Sequence, residues 1–308
     1  MKFIYLTCLL LCGLISEVCS TPTQTDDSEN LLANRNICGI QSDDKPIVDI
    51  PALDQFPWMA ILEYENIREN NKREFHCSGV LINNKFVLTA AHCIMNIPPW
   101  LKLKSVRLGE HTLNKEKDCQ TNTSGSEKCA DPPVVVDVAQ TIVHDKYDPA
   151  VLSRRHDIAL LQLQKEISFS NFIKPVCVPL SPDFDNSEYN KSKQATVIGW
   201  GMPVFDTQNH TKQRTEVVLV SPLECSRIYR EKLQVSTSAS HLCIRGVGNA
   251  NFCKGDTGGP LMVADVAGAK KNWIAIGISS YSAGCQGEFP GVYTRISSYS
   301  DWIIDNIQ

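Results

Sequence analysis

Three short segments carry side chains that could work on one another. Leu88 to Cys93 (LTAAHC) ends an apolar run on a histidine beside a cysteine. His156 to Leu160 (HDIAL) sets an aspartate at the entry to another apolar run, and Cys253 to Pro260 (CKGDTGGP) presents a hydroxyl on a glycine-rich loop. A neutral imidazole at His92 can take a hydroxyl proton from Thr257, and a buried carboxylate at Asp157 can fix the imidazole tautomer. Backbone N–H groups of a glycine-rich loop can hold a developing oxyanion. Taken singly, each segment also has an ordinary explanation: a structural histidine, a turn aspartate, a glycine turn. The order of all three, with cysteines beside two of them, is what points to chemistry.

Such side chains need rigid strands to hold them. From Cys38 onward short β-rich runs alternate with turn residues: FPWMAILEY, HCSGVLI, KFVLTAAHC, SVRLGE, VVVDVAQTIVH, DIALLQL, ATVIGW, EVVLV, WIAIGISS and GVYTRI. Strands this short and frequent predict an all-β body, a sandwich or a pair of barrels. The final segment, SSYSDWIIDNIQ, differs: Trp302, Ile303 and Ile307 share a helical face, and Ser298 or Ser300 can cap it. It predicts a terminal helix docked on the β-body. Residues 21–36 are polar, acidic and without period, and read as a flexible pro-segment.

The compartment follows from the first twenty residues and the cysteines. Lys2 supplies a basic start, Phe3 to Ile15 is almost continuously apolar, and Val18 to Ser20 offers a small-residue cleavage site, so residues 1–20 read as an export signal. The apolar run is short for a membrane span of about 20 residues, and no later run is longer. Of thirteen cysteines, Cys8, Cys12 and Cys19 leave with the signal, and 13 − 3 = 10 remain, an even number suited to five disulfides outside the cell. Asn122, Asn190 and Asn209 head N-glycosylation sequons. The 308 residues are 43% hydrophobic and 21% charged, which excludes a wholly disordered or collagen-like chain. Thirty Lys and Arg against 34 Asp and Glu give 30 − 34 = −4, and this balance offers no electrostatic case for a nucleic-acid partner.

These motifs, with FPWMA, CSGVLI, VIGWG and PGVYTRI, resemble the chymotrypsin-fold serine endopeptidases of the S1 family over roughly residues 38–308. Within that family the chain is similar in appearance to arthropod clip-domain immune proteases, through VRLGEHTLNKEKDC, CADPPVVVDVAQTIVHDKYDP and FIKPVCVPL. No cysteine lies between Ser20 and Cys38, so the clip itself is missing from the pattern. The resemblance implies two packed six-stranded antiparallel β-barrels followed by a C-terminal helix. It divides the chain into a signal (1–20), a pro-segment with Cys38 (21–46) and a peptidase-like domain (47–308). It makes His92, Asp157 and Thr257 the catalytic positions, with Gly255 and Thr257 supplying the oxyanion hole. It pairs Cys38 with Cys177, Cys77 with Cys93, Cys119 with Cys129, Cys225 with Cys243, and Cys253 with Cys285. It also assigns Asn251, Phe252, Ser280, Ser282 and Gly291 to the substrate pocket. No cofactor is required, and a structural calcium at Glu110 is the one metal the resemblance offers; a solvated surface glutamate is the alternative there.

The chain departs from that pattern where function would reside. Thr257 stands where active members carry serine, and its β-methyl restricts χ1 and adds bulk. Threonine nucleophiles elsewhere use their own N-terminal amine as base, whereas Thr257 is internal and has only His92. At the activation site Lys45 is followed by Pro46, and the two glycines usual after Ile47 and Val48 are absent. Trypsin-like cleavage is poor before proline, so an Ile47 terminus that could pair with Asp256 is not readily freed. Asn251 replaces the pocket aspartate of trypsin-like members, and a neutral amide cannot compensate a buried substrate cation. Phe252 is bulky, and Ser282 replaces a glycine. The pattern implies a secreted protease homologue of little or no activity, a regulator or cofactor in an immune-type proteolytic cascade. The alternative is an active endopeptidase that uses Thr257 with His92 and Asp157. Its partners would be cascade proteins or polypeptide substrates.

Overall fold

The structure, a computed structural model, describes residues 31–41, 49–121, 125–179, 194–201, 210–247, 256–265, 271–284 and 289–308. Two closed antiparallel barrels make up the body. The first contains β1 (Met59–Asn66), β2 (Lys72–Leu81), β3 (Phe86–Thr89), β4 (Leu101–Leu108), β7 (Val134–Val143) and β8 (Ala159–Leu163), ordered β1-β2-β3-β8-β7-β4. The second contains β9 (Gln194–Gly199), β10 (Gln213–Val220), β11 (His241–Gly246), β12 (Pro260–Asp265), β13 (Asn272–Tyr281) and β14 (Gly291–Arg295), ordered β10-β11-β14-β13-β12-β9. A separate hairpin pairs β5 (Cys119–Thr121) with β6 (Glu127–Cys129).

Closure leaves each barrel without an exposed sheet edge along most of its length, and the apolar residues of the runs turn inward. One core joins the barrels: Trp58, Leu88 and Leu160 from the first pack in the same cluster as Ile198, Trp200 and Met262 from the second. The Trp58 indole N–H points at Met262 Sδ, 3.0 Å away. No helix among the described residues is long and apolar enough to cross a membrane.

Helices are few. After α1 (His92–Met95), α2 (Pro222–Leu233) was not foreseen, since a single terminal helix was expected. Its signal is present in the sequence. Ser221 caps it by accepting from the Glu224 N–H at 3.2 Å, Pro222 opens it, and Cys225, Ile228 and Tyr229 bury one face. α3 (Ser300–Asn306) is the terminal helix, preceded by a 3₁₀ turn over Ile296–Tyr299. Neither Ser298 nor Ser300 is its cap: Tyr299 holds the cap position and gives no side-chain bond, while Ser300 is already helical. The Ser300 hydroxyl instead reaches the carbonyls of Pro179, at 2.9 Å, and Ser297, at 3.2 Å.

The expected flexible pro-segment also needs correction over its described part. Leu32 is buried in the common core, Leu31 packs against it, and the Asn83 side chain donates to the Leu31 carbonyl at 2.8 Å. Arg35 pairs with Asp265, and Asn272 Nδ2 donates to the carbonyls of Arg35 and Cys38, each at 2.8 Å. Gly39, at φ +65, runs so close to β13 that a Cβ would lie 2.2 Å from the Trp273 carbonyl, so only glycine suits this crossing. The Cys38–Cys177 disulfide closes a separation of 139 residues, a constraint worth about 5 kcal/mol in the chain-entropy account. The disulfides Cys77–Cys93, Cys119–Cys129 and Cys225–Cys243 are also formed. Cys253 and Cys285 lie outside the described residues.

Candidate active site

His92 opens α1 directly after β3, where the chain must turn out of the first barrel, and Cys93 ties that turn back to β2 through Cys77. Asp157 stands two residues before β8, antiparallel neighbour of β3, so the pairing of Thr89 with Ala159 brings the two motifs together. Asp157 is fully buried. Its Oδ1 accepts the His92 backbone N–H at 2.9 Å, and its Oδ2 accepts from His92 Nδ1 at 2.7 Å. The carboxylate therefore fixes the proton on Nδ1 and leaves Nε2 as the basic nitrogen. Burial alone would raise the Asp157 carboxyl, but the bonds from His92 and Ser280 and the His92 charge hold it below its ordinary value.

Ser280 belongs to this arrangement in a way the sequence did not suggest. Expected at the pocket, it has a hydroxyl that donates to Asp157 Oδ2 at 2.5 Å, from β13 of the other barrel. Thr294 Oγ1 donates to the Asp157 carbonyl at 2.8 Å. The aspartate is thus held by both barrels. Nothing in an alternating apolar strand says which side chain a buried serine will meet.

Thr257 sits on the turn before β12, on the other side of the cleft. Its backbone carbonyl accepts from Ser78 N at 2.9 Å, and its side chain is exposed. Among the described residues no hydrogen bond joins the Thr257 hydroxyl to His92, whose Nε2 lies 3.8 Å from Cys93 Sγ. The turn is forced by Gly258, at φ +78, where a Cβ would come within 2.5 Å of the Ser78 carbonyl and 2.6 Å of Thr89 Oγ1. Gly258 N and Gly259 O then bond the Ser279 backbone of β13, at 3.0 and 2.9 Å. Asp256, next to Thr257, is buried and accepts from Ser78 Oγ at 2.6 Å, from Trp200 N at 3.1 Å and from Gly201 N at 3.0 Å. Ser78 was not among the residues singled out from the sequence.

Of the expected pocket residues, Ser282 is exposed and turns its hydroxyl to the Gly284 carbonyl at 2.7 Å, and Gly291 is buried at the start of β14 opposite Ile244. Asn251, Phe252 and Gly255 lie outside the described residues, as do Lys45, Pro46, Ile47 and the sequons at Asn122, Asn190 and Asn209.

Glu110 is not the solvated surface residue offered as the alternative to a calcium ligand. It is buried, its Oε1 accepts the neighbouring His111 N–H at 3.0 Å, and its Oε2 faces Arg107 at 3.4 Å. Fully buried Lys212 donates to the Gln55 carbonyl at 3.0 Å, and its charge acts on Glu110 and Asp118. Burial raises the Glu110 carboxyl and pushes the Lys212 ammonium down to about 8.

Comparison with known proteins places these features. A sequence profile of the Trypsin family matches residues 51–303. The chain is 35% identical over 303 residues to CLIP domain-containing serine protease B4 of Anopheles gambiae, covering 96% of this chain and 80% of that one. It is 36% identical to Melanization protease 1 of Drosophila melanogaster over 82% of its own length and 63% of the relative's. Phenoloxidase-activating factor 1 of Holotrichia diomphalia is 34% identical, over 89% and 73% of the respective chains. Among solved structures, the Drosophila Grass clip serine protease of the Toll pathway superposes with a TM-score of 0.78 at 30% identity, over 92% of this chain and 78% of that one.

Proposed function

Because the chain belongs to the trypsin family, related to insect cascade proteases, we infer that it is a secreted protease homologue that binds cascade proteins without efficient turnover. The observation that carries this is the contrast at the cleft. The His92–Asp157 pair is set for general-base work, while the nucleophile position holds an exposed threonine without a bond to His92. To act, the Thr257 hydroxyl would have to approach both Nε2 and a substrate carbonyl with its β-methyl in the way. Misplacement by about 1 Å costs roughly 10²-fold. Loss of general-base assistance removes a further factor of about 10²–10⁴.

Titration with a fluorophosphonate, read by intact mass, tests this. The full secreted chain is expected to take up no stoichiometric adduct. An adduct on Thr257 would overturn the reading in favour of a slow endopeptidase, which the free Nε2 beside the Thr257 turn would serve. Secretion after loss of residues 1–20, glycosylation at Asn122, and resistance to cutting before Ile47 belong to the same reading. N-terminal sequencing of the mature chain, before and after exposure to a trypsin-like enzyme, tests the first and the last. An Ile47 terminus in good yield would mean that the activation site works.

A further inference from the structure

The chain leaves the second barrel at the end of β10, turns at Ser221 into α2, and returns through residues 234–240 to the start of β11. Between these walls lies an open cavity of about 260 Å³. Leu219, Val220, Pro222 and Leu242 give it an apolar lining, and Thr237 and Arg295 stand with them. Leu219, Val220 and Leu242 are only half-buried, whereas Val217 and Ile244 on the same strands are fully buried. Pro222 is exposed, and Leu223 beside it is 82% exposed. Scattered apolar side chains on a surface are ordinary; these gather around a hollow.

The walls of the hollow are fixed to one another. The Cys225–Cys243 disulfide ties α2 to β11, and Cys243 is itself part of the lining. Ser221 caps the start of α2, and the Gln234 N–H closes its end on the Arg230 carbonyl at 3.1 Å. A site preformed in this way costs little to order when something binds. Its size fits one large side chain: an apolar cavity of about 150 Å³ takes a benzene ring, and drug-sized ligands need about 300 Å³ or more. Its surroundings are basic. Across α2, β11 and β14, Arg227, Arg230, Lys232, Arg245 and Arg295 stand against Glu224 and Glu231, five against two, a net of +3 on a chain of −4.

We propose that this face is a docking site for an acidic segment of a partner protein, which seats one bulky apolar side chain in the cavity and lays its carboxylates on the basic rim. Burial of the apolar ring supplies most of the affinity, and the rim charge steers and selects the segment. The site uses no residue of the cleft. It therefore goes beyond the cleft chemistry and is independent of whether Thr257 turns anything over; its failure would leave the outcome of fluorophosphonate titration unchanged.

The test uses the full secreted chain and a fluorescein-labelled decapeptide of glutamates around a central tryptophan, read by anisotropy. Replacing the tryptophan by serine should weaken binding about ten-fold or more. Replacing the glutamates by glutamines should weaken it about five-fold at low salt. Thr237→Trp fills the cavity from its own wall, so it should lose about ten-fold for the tryptophan peptide and no longer prefer it to the serine one. Leu223→Ser, at an exposed position, should lose about three-fold, and Arg295→Gln should narrow the preference for glutamate over glutamine. Circular dichroism checks that each variant folds; if Thr237→Trp does not, Leu223→Ser and Arg295→Gln decide. The docking site is wrong if wild type binds no peptide, if the folded variants keep wild-type affinity, or if a lysine version of the peptide binds as tightly as the glutamate one. If free indole-3-propionate displaces the labelled peptide as readily as unlabelled peptide does, the cavity takes a small carboxylate, and the partner segment is overturned.

Discussion

The imidazole side of the cleft and the hydroxyl side are fixed to different degrees. Asp157 is fully buried and receives the His92 backbone, the His92 ring and the Ser280 hydroxyl, and the disulfide at Cys93 anchors the same turn. Thr257 is exposed, and the bonds of its turn run through the backbone and through Asp256. A buried carboxylate that satisfies several donors cannot be removed without leaving them unpaired. The His92–Asp157 pair is thus part of the architecture whether or not any reaction occurs. An intact pair says little about turnover; the exposed nucleophile position, which carries no such structural duty, is where activity is decided.

The largest effect should come from Asp157→Ala, which strands buried partners on both barrels. We expect a loss of about 3–5 kcal/mol in chemical unfolding. A loss below about 1 kcal/mol would mean that the pair is dispensable to the fold, and the contrast between the two sides would disappear. Ser280→Ala should cost about 1.5–3 kcal/mol, the worth of a hydrogen bond to a charged group. It should also let the Asp157 carboxyl rise, moving acid unfolding to higher pH. Asp157 is depressed when folded, so its stability is present above the ordinary carboxylate range near 3.9 and is lost as pH falls through the folded value. Acid titration of wild type and Ser280→Ala, monitored by tryptophan fluorescence, measures the displacement.

Much of this frame was legible in the sequence, and the gaps have physical reasons. The strands next to His92 and Asp157 announced themselves because apolar runs met polar residues at turns. The Asp157–Ser280 contact was hidden because its partners stand 123 residues apart on different barrels. Residues 31–36 looked flexible because two leucines in a polar run make no period; their order comes from the Asn83 bond, the Arg35–Asp265 pair and the Cys38 tether. α2 is a different case: Ser221, Pro222 and Glu224 spelled its start, and the surrounding β-rich runs masked it.

The histidines offer a weaker lever on the same comparison. Burial pushes His241 down to about 4, and burial also lowers His144 and His156, which stack at 4.8 Å beside Asp157 and against Tyr299. Each folded ring resists protonation more than the unfolded one. Stability is therefore full above the ordinary value near 6.5 and falls as pH drops below it, continuing to about 4 for His241. Melting temperature should decline from pH 7 to pH 4, and His241→Gln should flatten the lower part of that slope. An unchanged slope in His241→Gln would remove His241 from the account.

The smallest structural effect should belong to the residue on which function turns. Thr257→Ser removes one exposed methyl, so unfolding free energy should change by no more than about 0.5 kcal/mol. The chemical gain should also be limited. Freeing χ1 could return up to roughly 10²-fold of the positioning loss. It leaves Lys45 and Pro46 before Ile47, Asn251, Phe252 and Ser282 in place, and Asp256 bonded to Ser78. These parts act as a unit, so repairing one leaves the others limiting. Recovery should require the serine, an Arg-Ile-Val-Gly-Gly junction and a reopened pocket together, with gains that far exceed the sum of the single changes. The measurement is kcat/KM on arginine and apolar peptide esters for the single and combined variants. If Thr257→Ser alone turns over arginine esters at about 10 s⁻¹, an ordinary enzymatic rate, the hydroxyl side was one methyl from competence, and the defects assigned to activation and pocket do not exist.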